Sequence, residues 1–259
     1  MKPRIYLDHN ATTPLRPQAR AAMIAAMDCI GNPSSVHAEG RAAKNIIERA
    51  RAQVAAAVGA SGADVVFTSC ATEAAALALA GRGLLGSEIE HDAVLGWIDP
   101  SLPVDAQGQV AITDPAASTL QLANSETGVI QTLPQGIAVS DVTQAIGRIP
   151  FAYSWSGAGM IFLSAHKLGG PKGVGALVFS QGTELAAQIK GGGQEMGRRS
   201  GTENVAGIAG FGAAAEAAAQ ELTDGVWDRV AKLRNILEEA LAVASKDTIF
   251  VGNGAKRLP

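Results

Sequence analysis

An α/β fold, with a mostly parallel sheet covered by helices on both faces, is what this sequence predicts, on three observations. Short β-rich runs alternate with stretches of helical spacing, the order that parallel strands with crossover helices require. Several of those runs end in a polar residue, where a strand hands over to a loop or helix. The 259 residues are 47% hydrophobic and 17% charged, enough apolar material to bury a substantial core.

Taken in order, "RAAMIAAMDCI" (20–30) is the first helix candidate, with Cys29 near its end as a structural residue. From Arg41 to Val58, apolar residues fall at Ile46, Ile47, Ala50, Val54, Ala57 and Val58. Glu48, Arg49, Arg51 and Gln53 lie on the other side, and Gly59 is a stop signal. "DVVFTS" (64–69) is a strand leading into "CATEAAALALAG", a helix starting near Thr72. Further strands are expected at "STLQLAN" (118–124), "IAVSD" (137–141), "MIFLS" (160–164) and "GALVFS" (175–180). The last third is helical: Val205 to Leu222 is alanine-rich, and Trp227 to Ala244 is amphipathic. "TIFVGN" (248–253) reads as one more strand.

Composition narrows the function. A formal net charge of −3 without a long basic run argues against nucleic acid as the main partner. Two cysteines, Cys29 and Cys70, form neither a disulfide framework nor a metal pair, and point to a reducing, cytoplasmic compartment. The N-terminus lacks the apolar core of a signal peptide. No run approaches the ~18 apolar residues of a membrane span. His9, His37, His91 and His166 are far apart and form no HExxH, so no metal site is expected.

In parallel sheets, ligands bind beyond the carboxyl ends of the strands. That rule gathers Thr68–Thr72, Asn124–Glu126, Asp141–Gln144 and Ser164–Lys167 onto one rim. Within "FLSAHKLGGPKGVGAL" (162–177) a buried strand ends at His166-Lys167, with a glycine-rich loop behind it. A partly desolvated lysine can act as a nucleophilic amine. Its usual service is a Schiff base, most often with pyridoxal phosphate, which needs an amine, a carboxylate for its pyridinium nitrogen, phosphate donors and a group over its ring. Lys167 supplies the amine and Asp141 the carboxylate. "ATE" supplies helix N-terminal N–H groups and the Thr72 hydroxyl. Ser164 and His166 add donors, and His91 can stack or shuttle protons. Each residue alone has an ordinary structural explanation, as a cap, a turn or a solvated strand end; their joint placement carries the reading. The nucleotide alternatives are weak, because "GGPKGVG" is not G-x-x-x-x-G-K-[ST] and "GGGQEMG" is not G-x-G-x-x-G.

The motifs "YLDHNATTPLRP" (6–17), "GNPSSVHAEGR" (31–41), "VFTSCATEAAALAL" (66–79), "EHDAV" (90–94), "NSETGVIQ" (124–131), "SDVTQAIGRIP" (140–150), "SAHKLGGPKGVGAL" (164–177) and "GGGQEMGRRSGTENV" (191–205) resemble the cysteine desulfurases, NifS-like members of the class V aminotransferase group. The resemblance implies a fold-type-I pyridoxal-phosphate enzyme working as a homodimer. A large cofactor-binding domain would span 16–222. Residues 1–15 and 223–259 would form part of a small domain whose remainder lies outside this chain. Carried over by motif, Lys167 holds the cofactor, Asp141 pairs with its pyridinium nitrogen and Gln144 bonds its phenolic oxygen. His91 covers the ring and assists proton transfer, and Ala71, Thr72, Ser164 and His166 hold the phosphate. Thr202 reaches the phosphate of the partner subunit. The implied reaction takes L-cysteine to L-alanine and a protein-bound persulfide, which a sulfur-acceptor protein can receive.

The chain departs from the family pattern in four ways. It stops before the late loop cysteine that attacks sulfur and before the arginine that holds the substrate carboxylate. Asn124-Ser125-Glu126 stands where the family usually has Asn-Asn-Glu, so the cofactor contact falls to the shorter Ser125. Cys70 replaces a usual glycine beside the phosphate loop, and is read as a small semi-buried residue. "TLPQG" (132–136) stands in for a covering helix, which is expected to leave part of the sheet exposed. Two other readings stay open: a selenocysteine lyase or another class V enzyme, and a cofactor-binding but inactive scaffold for sulfur-transfer partners.

Overall fold

The structure, a computed structural model, describes residues 4–259. Four strands form the central ladder: β1 (Ala63–Thr68), β2 (Val139–Asp141), β3 (Met160–Ser164) and β4 (Gly175–Ser180). Their spatial order is β1-β4-β3-β2. β2 and β3 are parallel, and β4 runs antiparallel to both of its neighbours. Beyond β2 the sheet continues through parallel bridges, Thr119 to Val139 and Leu85 to Ser118. With β4 alone reversed, the carboxyl ends of β1, β2 and β3 share one rim.

The expected strand at 118–124 is extended but does not form a ladder. Leu120 N and Leu122 N donate to Val139 O and Asp141 O of β2 (3.2 and 2.8 Å), but side chains interrupt the pattern: Ser140 Oγ donates to Leu120 O (2.7 Å), and Gln121 N donates to Glu90 Oε1 (2.8 Å). "TIFVGN" is likewise not a strand. Gly252, at φ 72°, bends the run, and pairing comes later, where Ile130 N donates to Lys256 O and Leu258 N to Gly128 O. The sheet beside "TLPQG" is also better covered than expected. Residues 118–123 are all buried, and Val110, Ile112, Ile130, Leu133 and Ile149 pack on that core. Loops do there what a helix was expected to do.

The strands alternate cleanly between two apolar clusters, as the period of 2 requires. Val65, Phe67, Ile161, Leu163, Ala176 and Val178 face α2 (Ala38–Ala57) and α6 (Val205–Thr223). Val66, Phe162, Leu177 and Phe179 face α3 (Ala71–Leu79) through Ala74, Ala75 and Ala78. Small residues let the helices close. A Cβ on Gly212 of α6 would stand 2.6 Å from Ala50 Cα of α2, so only glycine permits this approach. α1 (Pro17–Met27) packs on α6 as well. The short helices α4 (Asp92–Leu95) and α5 (Tyr153–Ser156) sit in connections. α7 (Val226–Ala244) has no fully buried residue and leaves Leu233, Ile236, Leu237 and Leu241 exposed. Among the described residues, no helix is long and apolar enough to cross a membrane, and no cluster of side chains could hold a metal ion.

Candidate active site

A cavity of about 250 Å³ opens at the carboxyl ends of β1, β2 and β3. β3 delivers Lys167 to it through a single turn of 3-10 helix, Ala165–Lys167. The N-terminal loop then clamps that turn. Thr13 N donates to His166 O (3.0 Å), Thr13 Oγ1 to Lys167 O (3.0 Å) and Arg16 N to Gly169 O (2.8 Å). Arg16 is itself fixed by a two-pronged ion pair to Glu221 of α6, at 2.5 and 2.7 Å. Lys167 Nζ donates to the carbonyl of Asn10. Burial, then the charge of Arg148, holds the amine below the usual lysine range, against the pull of Asp141, Asp8 and Glu126.

Asp141 ends β2 and opens onto the same cavity. It accepts from Thr143 N at 2.8 Å. Burial pushes its carboxyl up, opposed by the hydrogen bonding of Thr143 and the charges of His91 and Lys167. Among the described residues it forms no ion pair within 4.0 Å.

A third wall is the N-terminus of α3. Cys70 is the cap and makes no side-chain cap hydrogen bond, and the first-turn N–H groups of Ala71 and Thr72, residues that line the cavity, have no protein partner among the described residues. Gly175 makes this packing possible, because a Cβ there would lie 2.5 Å from the carbonyl carbon of Cys70. Near this wall His166 pairs through Nδ1 with Thr12 Oγ1 (3.1 Å). Burial, with Lys167 and Lys172 adding to it, pushes the imidazole down to about 4, so it is neutral near pH 7. Ser164 Oγ reaches Val174 O only at 3.5 Å.

His91 is the N-cap of α4, and its Nδ1 accepts from Ala93 N (3.0 Å). The neutral ring therefore carries its proton on Nε2. Gln144 donates through Nε2 to Asn10 O (3.0 Å) and accepts from Arg148 through Oε1 (2.6 Å). Ser125 follows Asn124, whose Oδ1 accepts from the Glu126 and Thr127 amides (2.9 and 2.8 Å) and so fixes the turn.

Nine of the residues singled out in the sequence line this one cavity: Ala71, Thr72, His91, Ser125, Asp141, Gln144, Ser164, His166 and Lys167. Thr202 does not. It is exposed, and lines a separate pocket with Phe67, Ser69 and Arg199. Cys70 lines the main cavity, with its Sγ 3.7 Å from Ser69 Oγ. Sequence reasoning missed Asn10 and Arg148. Asn10 contributes a main-chain carbonyl, which has no sequence signal. Arg148 does leave one, as a cation just after the apolar, buried run of Val142, Ala145 and Ile146.

The profile of the family described as Aminotransferase class-V matches residues 5–97 and 105–258. This chain belongs to that family. It is 41% identical to the cysteine desulfurase of Frankia sp. over 85% of its own length, a match that spans 64% of that relative. It is 36% identical to the cysteine desulfurase IscS of Dictyoglomus turgidum, over its full length and 75% of that protein. A NifS-like protein from Rickettsia africae superposes with a TM-score of 0.89 at 34% identity, covering 98% of this chain and 79% of that one. The class V family consists of pyridoxal-phosphate enzymes with the fold-type-I α/β architecture, and the cavity fits that group. Unpartnered N–H groups at the start of an α-helix suit a phosphate. A buried carboxylate without a cationic partner suits a pyridinium nitrogen, and the depressed lysine suits an aldehyde.

Proposed function

We propose that this chain binds pyridoxal phosphate and activates L-cysteine for a cysteine desulfurase reaction, in which L-alanine forms and the sulfur passes to a protein thiol as a persulfide; the loop cysteine that receives that sulfur in the family is not among these 259 residues. The carrying observation is that Lys167, Asp141 and the open N-terminus of α3 form three walls of one cavity. The relatives named cysteine desulfurase support the choice of substrate.

Lys167 is the group that condenses with an aldehyde, since its lowered proton affinity raises the share of free amine at neutral pH. The same amine would be the group that moves the proton at the substrate Cα. His91, which lines the cavity with its Nδ1 engaged by the Ala93 amide, would back that transfer. The bound cofactor supplies an electron sink for the charge left at Cα. Asp141 holds the pyridinium nitrogen and Gln144 the phenolic oxygen. Ser125 contacts the ring, replacing a longer amide. The phosphate is taken by the amides of Ala71 and Thr72, the hydroxyls of Thr72 and Ser164, and His166, which is a neutral donor in this setting. Thr202, exposed outside the cavity, faces the phosphate bound by a second copy in a homodimer. Two free cysteines are consistent with the reducing environment of the cytoplasm.

The test is chemical trapping. Protein loaded with pyridoxal phosphate is reduced with borohydride, digested and mapped by mass. The reading expects the adduct on Lys167, and Lys167→Ala to lose it. An adduct on Lys172 instead, or none in the wild type, sinks the assignment.

A further inference from the structure

Arg148 is only 6% exposed, yet no carboxylate pairs with it among the described residues. A buried guanidinium without a counter-ion is costly. Here neutral groups satisfy its donors. One nitrogen donates to Gln144 Oε1 (2.6 Å), Gln144 O (3.2 Å) and Asn10 Oδ1 (3.3 Å), and the other to His9 O (3.2 Å). Trp227 of α7 covers it, with the ring centroid 5.8 Å from the guanidinium carbon. Burial draws the guanidinium down to about 10, which leaves it charged at neutral pH.

These contacts have two consequences at the cavity. First, an amide side chain can present either its oxygen or its NH2, and Arg148 engages the oxygen of Gln144. The Nε2 group is then fixed on the Asn10 carbonyl, with its second hydrogen left for a ligand. Second, Lys167 Nζ donates to that same carbonyl, so one backbone oxygen joins Lys167 to the residue that Arg148 holds.

We propose that Arg148 is a positioning residue of this site, setting the orientation of the Gln144 amide and the electrostatic field at the Lys167 amine. The proposal builds on the reading of Lys167 as the cofactor amine. The groups facing that amine are Asp141, Asp8 and Glu126, which favour its charge, and Arg148, which opposes it. His166 is neutral beside it. Removing the Arg148 charge leaves the carboxylates unopposed, and the amine holds its proton to higher pH.

The experiment labels the cofactor-free protein with isotopic acetic anhydride over a range of pH, and reads the Lys167 peptide by mass spectrometry. Only the uncharged amine reacts. In Arg148→Met the midpoint for Lys167 moves to higher pH and labelling at neutral pH falls severalfold, while Arg148→Lys stays close to wild type. Should Arg148→Met fail to fold, Arg148→Gln removes the charge while keeping an NH2 donor for the Gln144 oxygen, and gives the same upward movement. A midpoint unchanged in the charge-removing variants, or moved equally by Arg148→Lys, overturns the proposal. Borohydride trapping in the wild type is scored separately, so failure of the cofactor reading is distinguishable from failure of this one.

Discussion

Replacing Glu90 by glutamine should remove a pH dependence of stability that arises at one turn beside the site. Glu90 is 5% exposed, its Oε1 accepts from Gln121 N at 2.8 Å, and its Oε2 has no partner. Burial, reinforced by the charge of Asp141, pushes the carboxyl from near 4.5 up to about 8. A carboxyl raised in the folded state is neutral there while the unfolded chain is already ionised. Folding is therefore unpenalised below pH 4.5, and loses stability as pH rises towards 8. At 1.36 kcal/mol per unit, the ceiling on that loss is about 4 kcal/mol near pH 8. Glu90→Gln keeps the acceptor for Gln121 and removes the titration. Its cost is a buried NH2 without a partner, roughly 1–3 kcal/mol and independent of pH. Urea unfolding of the cofactor-free protein from pH 5 to pH 8 should find the variant less stable at the acid end and more stable at the alkaline end. The opposing trend from His166, whose depressed value makes folding less favourable as pH falls from about 6.5 towards 4, is common to both proteins and cancels in the difference. A difference that stays flat across the range would refute the reasoning.

On the proposed reading, Asp141→Asn would remove a charge-assisted bond to the pyridinium nitrogen, worth about 1.5–3 kcal/mol, so cofactor affinity measured by equilibrium dialysis should fall roughly 10- to 100-fold. Glu195→Ala removes the buried partner of Arg51, which Glu195 pairs at 2.8 and 2.9 Å, leaves that guanidinium with Glu48 and the Val65 carbonyl, and frees the Phe67 amide that Glu195 accepts at 3.0 Å. Denaturant unfolding should show a loss of about 1–3 kcal/mol. Gly212→Val forces α2 and α6 apart, and should cost about 1–3 kcal/mol in the same assay while leaving the borohydride adduct on Lys167 intact.

The sequence was most legible where burial is complete. Met160–Ser164 and Gly175–Ser180 have nearly every residue buried, so each reads as a continuous apolar run with sharp ends. Residues 118–124 are just as buried, but their amides and carbonyls are satisfied by a mixture of β2 carbonyls and the side chains of Ser140 and Glu90 rather than by a continuous ladder. Apolar patterning cannot distinguish those two solutions. The residues lining the cavity were legible for a different reason: strand topology alone brings Thr72, Asp141 and Lys167 to one rim. What holds them in place was not legible. Asn10 acts through its carbonyl, and Arg148 through an uncompensated charge whose hydrogen-bond partners other than Gln144 come from 138 or more positions away.

The same contrast explains why the cavity is poised for its ligand. Lys167 is held below its usual range and Asp141 above its own, and burial is the first cause in both. His166 is kept neutral by burial too. Each group is thus biased towards its uncharged form by the loss of water, while the α3 amides of Ala71 and Thr72 lack protein acceptors. These are unfavourable features of a folded protein taken singly. A ligand with an aldehyde, a protonated ring nitrogen and a phosphate answers all of them at once: the amine reacts as the free base, the carboxylate gains a cation, and the amides gain an anion. Binding therefore returns stability that folding gives up at this rim, so ligand affinity and folding stability are linked through the same side chains.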